Sequence, residues 1–357
     1  MTRRSCRSIR IAISLSALTV LNLFPPSAIG QVTEIPTNLA NVRFYAQCPP
    51  GFDPVAASPQ LLERFGFPPK PDPEGAPEAY RGWQRAVTAP QMRIVPILEK
   101  TEIYHRPVRL VAPPKIGSSV EAKINSLSAS STNWSGYVAV DPKNPFRNAL
   151  IYAYYVVPIA QQAFGQCTGS WEYSGQWVGF DGHGSNDVLQ AGTEADALCS
   201  GGNRTPYYAA WIEWAPNPES IVSNFIVKGG DALLIEVWSA SPTSGHAFFV
   251  DFTEGESMSL AFDAPAGTSL VGNSAEWVIE RPAFGNTLAK LTNYAACPFD
   301  FCYALGGSNR SLVYSPGGGA SGTIYSLQML DENGNVISTP NLVGPAALWF
   351  SDSGSAY

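Results

Sequence analysis

A chain of 357 residues is long enough for one or two buried cores. Only 14% of it is charged and 45% is apolar, which excludes an intrinsically disordered chain and a helical coiled coil, since ordinary soluble chains carry about 25% charge. The net charge of −7 excludes a general nucleic-acid binder, which needs a basic face, and three histidines leave little room for a His-built metal site.

Residues 1–30 read as a secretory signal peptide. Arg3, Arg4, Arg7 and Arg10 supply a positive start, and Ile11 to Phe24 is a mainly apolar run. Pro25 and Pro26 break it, and Ser27-Ala28-Ile29-Gly30 offers small residues for cleavage before Gln31. The run falls short of the ~20 residues that cross a bilayer, so a membrane anchor is not expected. The expected location is outside the cytoplasm, extracellular or periplasmic, where cysteines can be oxidised.

Residues 31–123 hold 15 of the 30 prolines, with 11 basic and 9 acidic residues. Proline at that density predicts no long regular elements. The stretch reads as a propeptide that covers the rest of the chain and is later removed, or else as a linker or wall-spanning arm. The tract Ser126 to Thr132 is polar and small, and reads as a flexible, cleavable connection. A mature amino terminus is therefore expected near residues 124–133.

Residues 124–357 carry 7 basic and 20 acidic residues and eight of the nine tryptophans. β-rich runs recur at Tyr152–Val157, Gln176–Gly179, Val188–Ala191, Tyr207–Trp214, Ala232–Trp238, Ala247–Phe252, Glu276–Ile279 and Thr323–Leu330, punctuated by Gly, Asn, Ser and Pro. Asp331 to Asn335 reads as a hairpin turn with Asn333-Gly334 as a primed pair. The expectation is one all-β domain, an antiparallel β-sandwich or barrel, over 124–357. Cys297 and Cys302 are close enough in sequence to staple one loop, which leaves Cys167 for Cys199; this pairing is one of three that four cysteines allow. The N-x-S/T triplets at Asn133, Asn203 and Asn309 are glycan acceptors only in a eukaryotic secretory route.

H-E-x-x-H and G-x-S-x-G are absent, and Asp352-Ser353-Gly354 is half of an aspartic-protease signature with no second copy. What is left is carboxyl, amide and indole chemistry. Alternation along strands puts Gln190, Gly192 and Glu194 on one face, Glu276 and Glu280 on one face, Trp211 with Glu213, and Trp177 with Gly179 and Asp181. If those faces coincide, the sheet carries a cleft of acids between aromatic walls. Such a groove suits a peptide, and also a carbohydrate. Glycosidases need two carboxyl groups about 5–10 Å apart, whereas Glu276 and Glu280 are about 13 Å apart along a strand.

Five ordered motifs then resemble the glutamic peptidases, or eqolisins. They are Asn133-Trp134-Ser135-Gly136, Trp177-Val178-Gly179-Phe180-Asp181-Gly182, Val188-Leu189-Gln190-Ala191-Gly192, Trp211-Ile212-Glu213-Trp214-Ala215-Pro216 and Asn273 to Glu280. The resemblance implies two antiparallel sheets packed as a bent sandwich with the site on the concave face. It implies a secreted acid-acting endopeptidase, with Gln190 and Glu280 as the catalytic pair and no cofactor or metal. Trp134, Trp177, Asp181, Glu194, Trp211 and Glu213 are the expected supporting residues. Glu194 stands where the family usually has Asp, Ala191 where it has Thr, and Ile212 and Ala215 where it has tyrosines. Expected partners are protein or peptide substrates and the chain's own propeptide as an intramolecular inhibitor; neither nucleic acid nor a membrane is expected, and a monomer is.

Overall fold

A computed structural model describes residues 34–112, 126–162 and 167–353. The proposed signal sequence lies outside the described residues, as does the boundary at 123–124. The described residues form one compact unit.

The fold is a sandwich of two mainly antiparallel layers. In the front layer the neighbours run Ser126–Ser131, Thr323–Leu330, Trp134–Val140, Ser274–Glu280, Gly175–Phe180, Leu189–Ser200, Asn203–Trp214 and Ser220–Val222. In the back layer Ala296–Gly306, Leu150–Val156, Ala232–Ser241, Ser244–Asp251 and Glu256–Asp263 pair in that order. Alternation decides what fills the space between them. Val178, Phe180, Leu189, Ala191, Ile212, Trp277 and Ile279 point inward from the front, and meet Ile151, Ala153, Leu233, Ile235 and Phe249 from the back. The eight predicted strands are all present, most of them longer than the β-rich run that revealed them.

The proline-rich segment departs from expectation. It forms helices Pro59–Arg64 and Pro77–Thr88 and adds strands to both layers. Its prolines do not interrupt those helices because they start them. Pro59 and Pro77 occupy the first turn, where the missing N–H has no intrahelical partner to lose. Trp83, Ala86 and Leu62 pack on Tyr152, Tyr154, Leu234 and Phe248, on the outer side of the back layer. The hydroxyls of Tyr152 and Tyr154 donate to the helix carbonyls of Ala79 and Gly82 at 2.6 and 2.8 Å. Tyr152→Phe and Tyr154→Phe are each expected to lower stability of the full chain by about 1 kcal/mol, read as a shift of the urea midpoint.

Three local expectations also change. Ser126–Ser131 is a strand paired in parallel with Thr323–Leu330, so these residues are held in the sheet. Cys167 and Cys199 are bonded, whereas Cys297 and Cys302 are free and buried. Those two lie on one strand with a bulge between them; against its neighbour Phe299 faces Tyr155 and Tyr303 faces Tyr152, so even the bulged stretch advances about 10 Å, more than the ~4.4–6.8 Å Cα span of a disulfide. The hairpin at 331–335 is in place, but only Gly334 has a positive φ, of 83°, so Asn333-Gly334 is not a primed pair. Asp331 orders that turn by accepting from the Asn333 and Asn335 backbone N–H groups. Among the described residues no helix is long and apolar enough to cross a membrane.

Candidate active site

The faces do coincide, and the register shows how. Gly179 pairs with Glu276 on one side and Gln190 on the other, and Gln190 pairs with Glu213. The next row holds Val278, Trp177, Gly192 and Trp211. The third holds Trp134, Glu280, Gly175 and Glu194. All project from the outer side of the front layer, because their odd-numbered or even-numbered neighbours fill the core. Five strands thus place two catalytic candidates, three further carboxyls and three indoles on one surface.

That surface is covered. The chain crosses it between Leu98 and Val111. It adds Leu98–Lys100 to the edge strand Ser220–Val222, pairs Ile103–Tyr104 with Ala283–Phe284, and pairs Leu110–Val111 with Ser131 and Ser130. Under this strap Gln190, Glu280, Glu194, Trp134, Trp177 and Trp211 are fully buried, and Glu213 is 2% exposed.

Glu280 is held by three donors. Trp177 Nε1 donates to Oε2 at 3.0 Å; the Arg106 backbone N–H and Asn133 Nδ2 donate to Oε1 at 3.0 and 3.3 Å. Hydrogen bonds to a charged acceptor contribute about 1.5–3 kcal/mol each, so three of them fix the carboxyl's orientation. Trp134 meets Trp177 edge-on at 4.9 Å and supports that indole. Gln190 Nε2 donates to the His105 carbonyl at 3.1 Å, while Gln190 Oε1 is buried with no partner among the described residues. Glu213 accepts from the His105 N–H at 3.0 Å.

His105 itself fills a pocket. Its ring lies flat on Trp211, 3.9 Å between centroids and 8° from parallel. Its Nε2 is 2.8 Å from Glu194 and 3.3 Å from Glu219, and its Nδ1 is 3.4 Å from Glu280 without hydrogen-bond alignment. Gly175 makes the space: a Cβ there would sit 2.5 Å from the imidazole Cε1. Burial disfavours charge on this ring, but the carboxylates of Glu194, Glu219 and Glu280 outweigh it and hold its pKa well above the ordinary value. Burial raises Glu280 despite its donors, and raises Glu213 much further. It pushes Glu219 up to about 7, with His105 opposing the shift.

Asp181 behaves differently from the other expected residues. It follows the Gly175–Phe180 strand at a φ of 71°, and its carboxyl accepts from the backbone N–H groups of Val271, Gly272 and Asn273. It orders that loop and makes no hydrogen bond to Glu280 or Gln190. Burial, countered by those bonds and aided by Asp187, raises it to about 7.

Sequence reasoning missed His105, Gly175 and Glu219, and quoted Asn133 only within a motif. Glu219 carried a readable signal: Ser220 pairs with Ile212, so the turn at Pro216–Pro218 brings Glu219 back beside Glu213. Asn133 is fully buried and also donates to the Arg106 and Pro107 carbonyls, which leaves it unavailable to a glycan. His105, Glu194 and Glu219 have the donor types and proximity to hold a metal ion. The 2.8 Å His105–Glu194 contact accounts for the cluster as an ion pair.

A family model described as the Peptidase A4 family matches residues 132–345, which takes in Gln190 and Glu280. Aspergillopepsin-2 of Aspergillus niger is 25% identical over 169 residues, 47% of this chain and 55% of that protein. Scytalidopepsin B of Scytalidium lignicola is 33% identical over 104 residues, 29% of this chain and 38% of that protein. The chain thus spans about half, or less, of the length of these curated relatives. A solved structure of scytalido-glutamic peptidase with a transition state analog inhibitor is 23% identical, with a TM-score of 0.49, over 62% of this chain and 98% of that one. With the family model matching more than half of its residues, and with the ordered motifs on one sheet face, the chain belongs to the Peptidase A4 family, the glutamic peptidases.

Proposed function

We propose that this chain is a secreted, acid-acting endopeptidase whose catalytic pair is Glu280 and Gln190. Peptide hydrolysis needs an activated water, a stabilised oxyanion and a proton for the leaving amine. Ionised Glu280 takes the water's proton as general base and returns it to the amine as general acid. Gln190 donates through Nε2 to the tetrahedral oxyanion, while its Oε1 accepts from the attacking water. An amide donor works at any pH, and a carboxyl base remains usable in acid.

One observation carries this reading. Both side chains touch the same peptide group, Gln190 at the His105 carbonyl and Glu280 at the Arg106 N–H. They are poised on the two ends of a C–N bond. The burial of both beneath residues 98–111 supports a propeptide role for residues 31–123, acting as an intramolecular inhibitor. The 20 acids against 7 bases after residue 123 support acid action, because their self-repulsion eases as carboxyls protonate.

Purified full-length protein, given a denatured protein and a polysaccharide, is expected to release peptides and no sugar, fastest between about pH 2 and 5, the carboxyl range. Fastest hydrolysis at pH 7, or sugar release, overturns the reading.

A further inference from the structure

The strap is arranged as a substrate is arranged, and its geometry singles out one bond. It is extended and anchored on both sides of the cleft, by Leu98–Lys100 and Ile103–Tyr104 before the centre and by Leu110–Val111 after it. Further backbone bonds fasten it between. The N–H of Val108 donates to the Gly182 carbonyl at 3.1 Å, and that of Arg109 to Asn133 Oδ1 at 2.8 Å. The His105 side chain is seated in the Trp211–Glu194–Glu219 pocket, and the Arg106 guanidinium lies 4.1 Å over the Tyr104 ring and donates to the Gly285 carbonyl. Every feature that positions a peptide for cleavage is directed at the unit between these two residues.

We infer that His105–Arg106 is the bond this chain cuts in itself, releasing residues up to His105 and leaving Arg106 as a new amino terminus. The inference rests on the peptidase reading above and deepens it by naming a substrate. In the step, a water oxygen bonds to the His105 carbonyl carbon and its proton passes to Glu280. The carbonyl electrons move onto oxygen, where Gln190 Nε2 already donates. The C–N bond then breaks, the electron pair stays on the Arg106 nitrogen, and Glu280 Oε1, already 3.0 Å from that nitrogen, returns the proton. The products are a His105 carboxyl group and an Arg106 amine. The site and the bond belong to one compact unit, so cleavage is first order. The tract expected to be cut, Ser126 to Thr132, is held as a sheet strand over Ser126–Ser131 and makes no hydrogen bond to Glu280 or Gln190.

The test uses the full-length chain purified near neutral pH, brought to about pH 4 and sampled by intact mass and amino-terminal sequencing, with a denatured protein digested in parallel. The first new amino terminus is expected at Arg106, at a rate unchanged by tenfold dilution, and Glu280→Gln is expected to slow its appearance at least ~100-fold. Digestion of the added protein with a first cut elsewhere, such as within 124–133, overturns this inference and leaves the peptidase reading standing. Failure to digest either substrate overturns both. An Arg106 terminus that forms as fast in Glu280→Gln, with wild-type circular dichroism, assigns the cut to another enzyme and overturns the inference.

Discussion

Glu280→Gln is expected to lower kcat for a denatured protein in acid by about 10³-fold, within the 10²–10⁴ range of a lost general acid–base. The substitution keeps volume; its one carbonyl oxygen accepts from either Trp177 Nε1 or the Arg106 N–H, which donate to different oxygens of Glu280, so the packing is retained at the loss of one hydrogen bond. What is lost is the exchangeable proton. Gln190→Ala is expected to cost about 10²–10³-fold, the scale of one missing oxyanion donor. Both losses should fall on kcat with little change in KM, because Trp211, Glu194 and Glu219 still form the pocket. Near-wild-type hydrolysis by either variant would remove that residue from the mechanism. Gln190→Glu supplies a further check: it keeps length but ionises as pH rises, so its residual activity should decline toward pH 6 more steeply than that of Gln190→Ala.

The sandwich was legible because its strands alternate strongly. In Glu276-Trp277-Val278-Ile279-Glu280 the two large apolar residues that face the core are flanked by acids that do not, and a period of two sorts them without ambiguity. Gln190, Gly192 and Glu194 are sorted the same way. The sequence could not supply the pairing of these strands in space, which depends on contacts distant along the chain. Register is the step that turns four separate patterns into one surface.

The covering segment was not legible for two physical reasons. Proline density reads as a breaker of regular elements, but its cost depends on position, and Pro59 and Pro77 stand where a helix begins. His105 has no local pattern at all, since its burial comes from Trp211 and three carboxyls contributed by distant parts of the chain. Asp181 shows the reverse error. It follows a strand that carries site residues, yet a positive φ turns it toward the 271–273 loop, which strand alternation does not foresee.

The thermal midpoint is expected to be higher near pH 4.5 than at pH 8, by on the order of 10 °C, measured on Glu280→Gln so that self-digestion does not intervene. Glu219 and Asp181 titrate at about 7 in the fold, against about 4 in an unfolded chain. Below about pH 4 both states are protonated and burying these groups carries no ionisation cost. As pH rises the unfolded state ionises first, so stability is lost between about pH 4 and 7 and is not regained above. Glu213, Glu236, Glu276 and Asp196 are raised further by burial and act in the same direction. Glu236 is the plainest case: it shares the helix-covered side of the back layer with Leu234 and Trp238, and neither carboxyl oxygen has a partner among the described residues. His105, raised by its carboxylate neighbours, also contributes stability at low pH that is lost as pH climbs through its folded pKa. Five groups oppose them, His183, Asp263 and Asp331 together with His246 and Asp141. Burial lowers His246 to about 4, so the unfolded imidazole takes up a proton first and stability falls as pH drops from about 6.5 to 4. Partial burial works against Asp141, but hydrogen bonds from Ser321, Tyr314 and Asn144 hold it at about 2, and its contribution is lost below about pH 4. The raised carboxyls outnumber these. Each tenfold change in a group's proton affinity is worth about 1.4 kcal/mol, and each kcal/mol moves the midpoint by about 2–4 °C in a domain of this scale. The maximum should therefore lie near pH 4–5, with a decline on both sides. A midpoint that rises steadily from pH 4.5 to pH 8 would mean that these carboxyls are solvated, and that the strap and helices do not bury them as described.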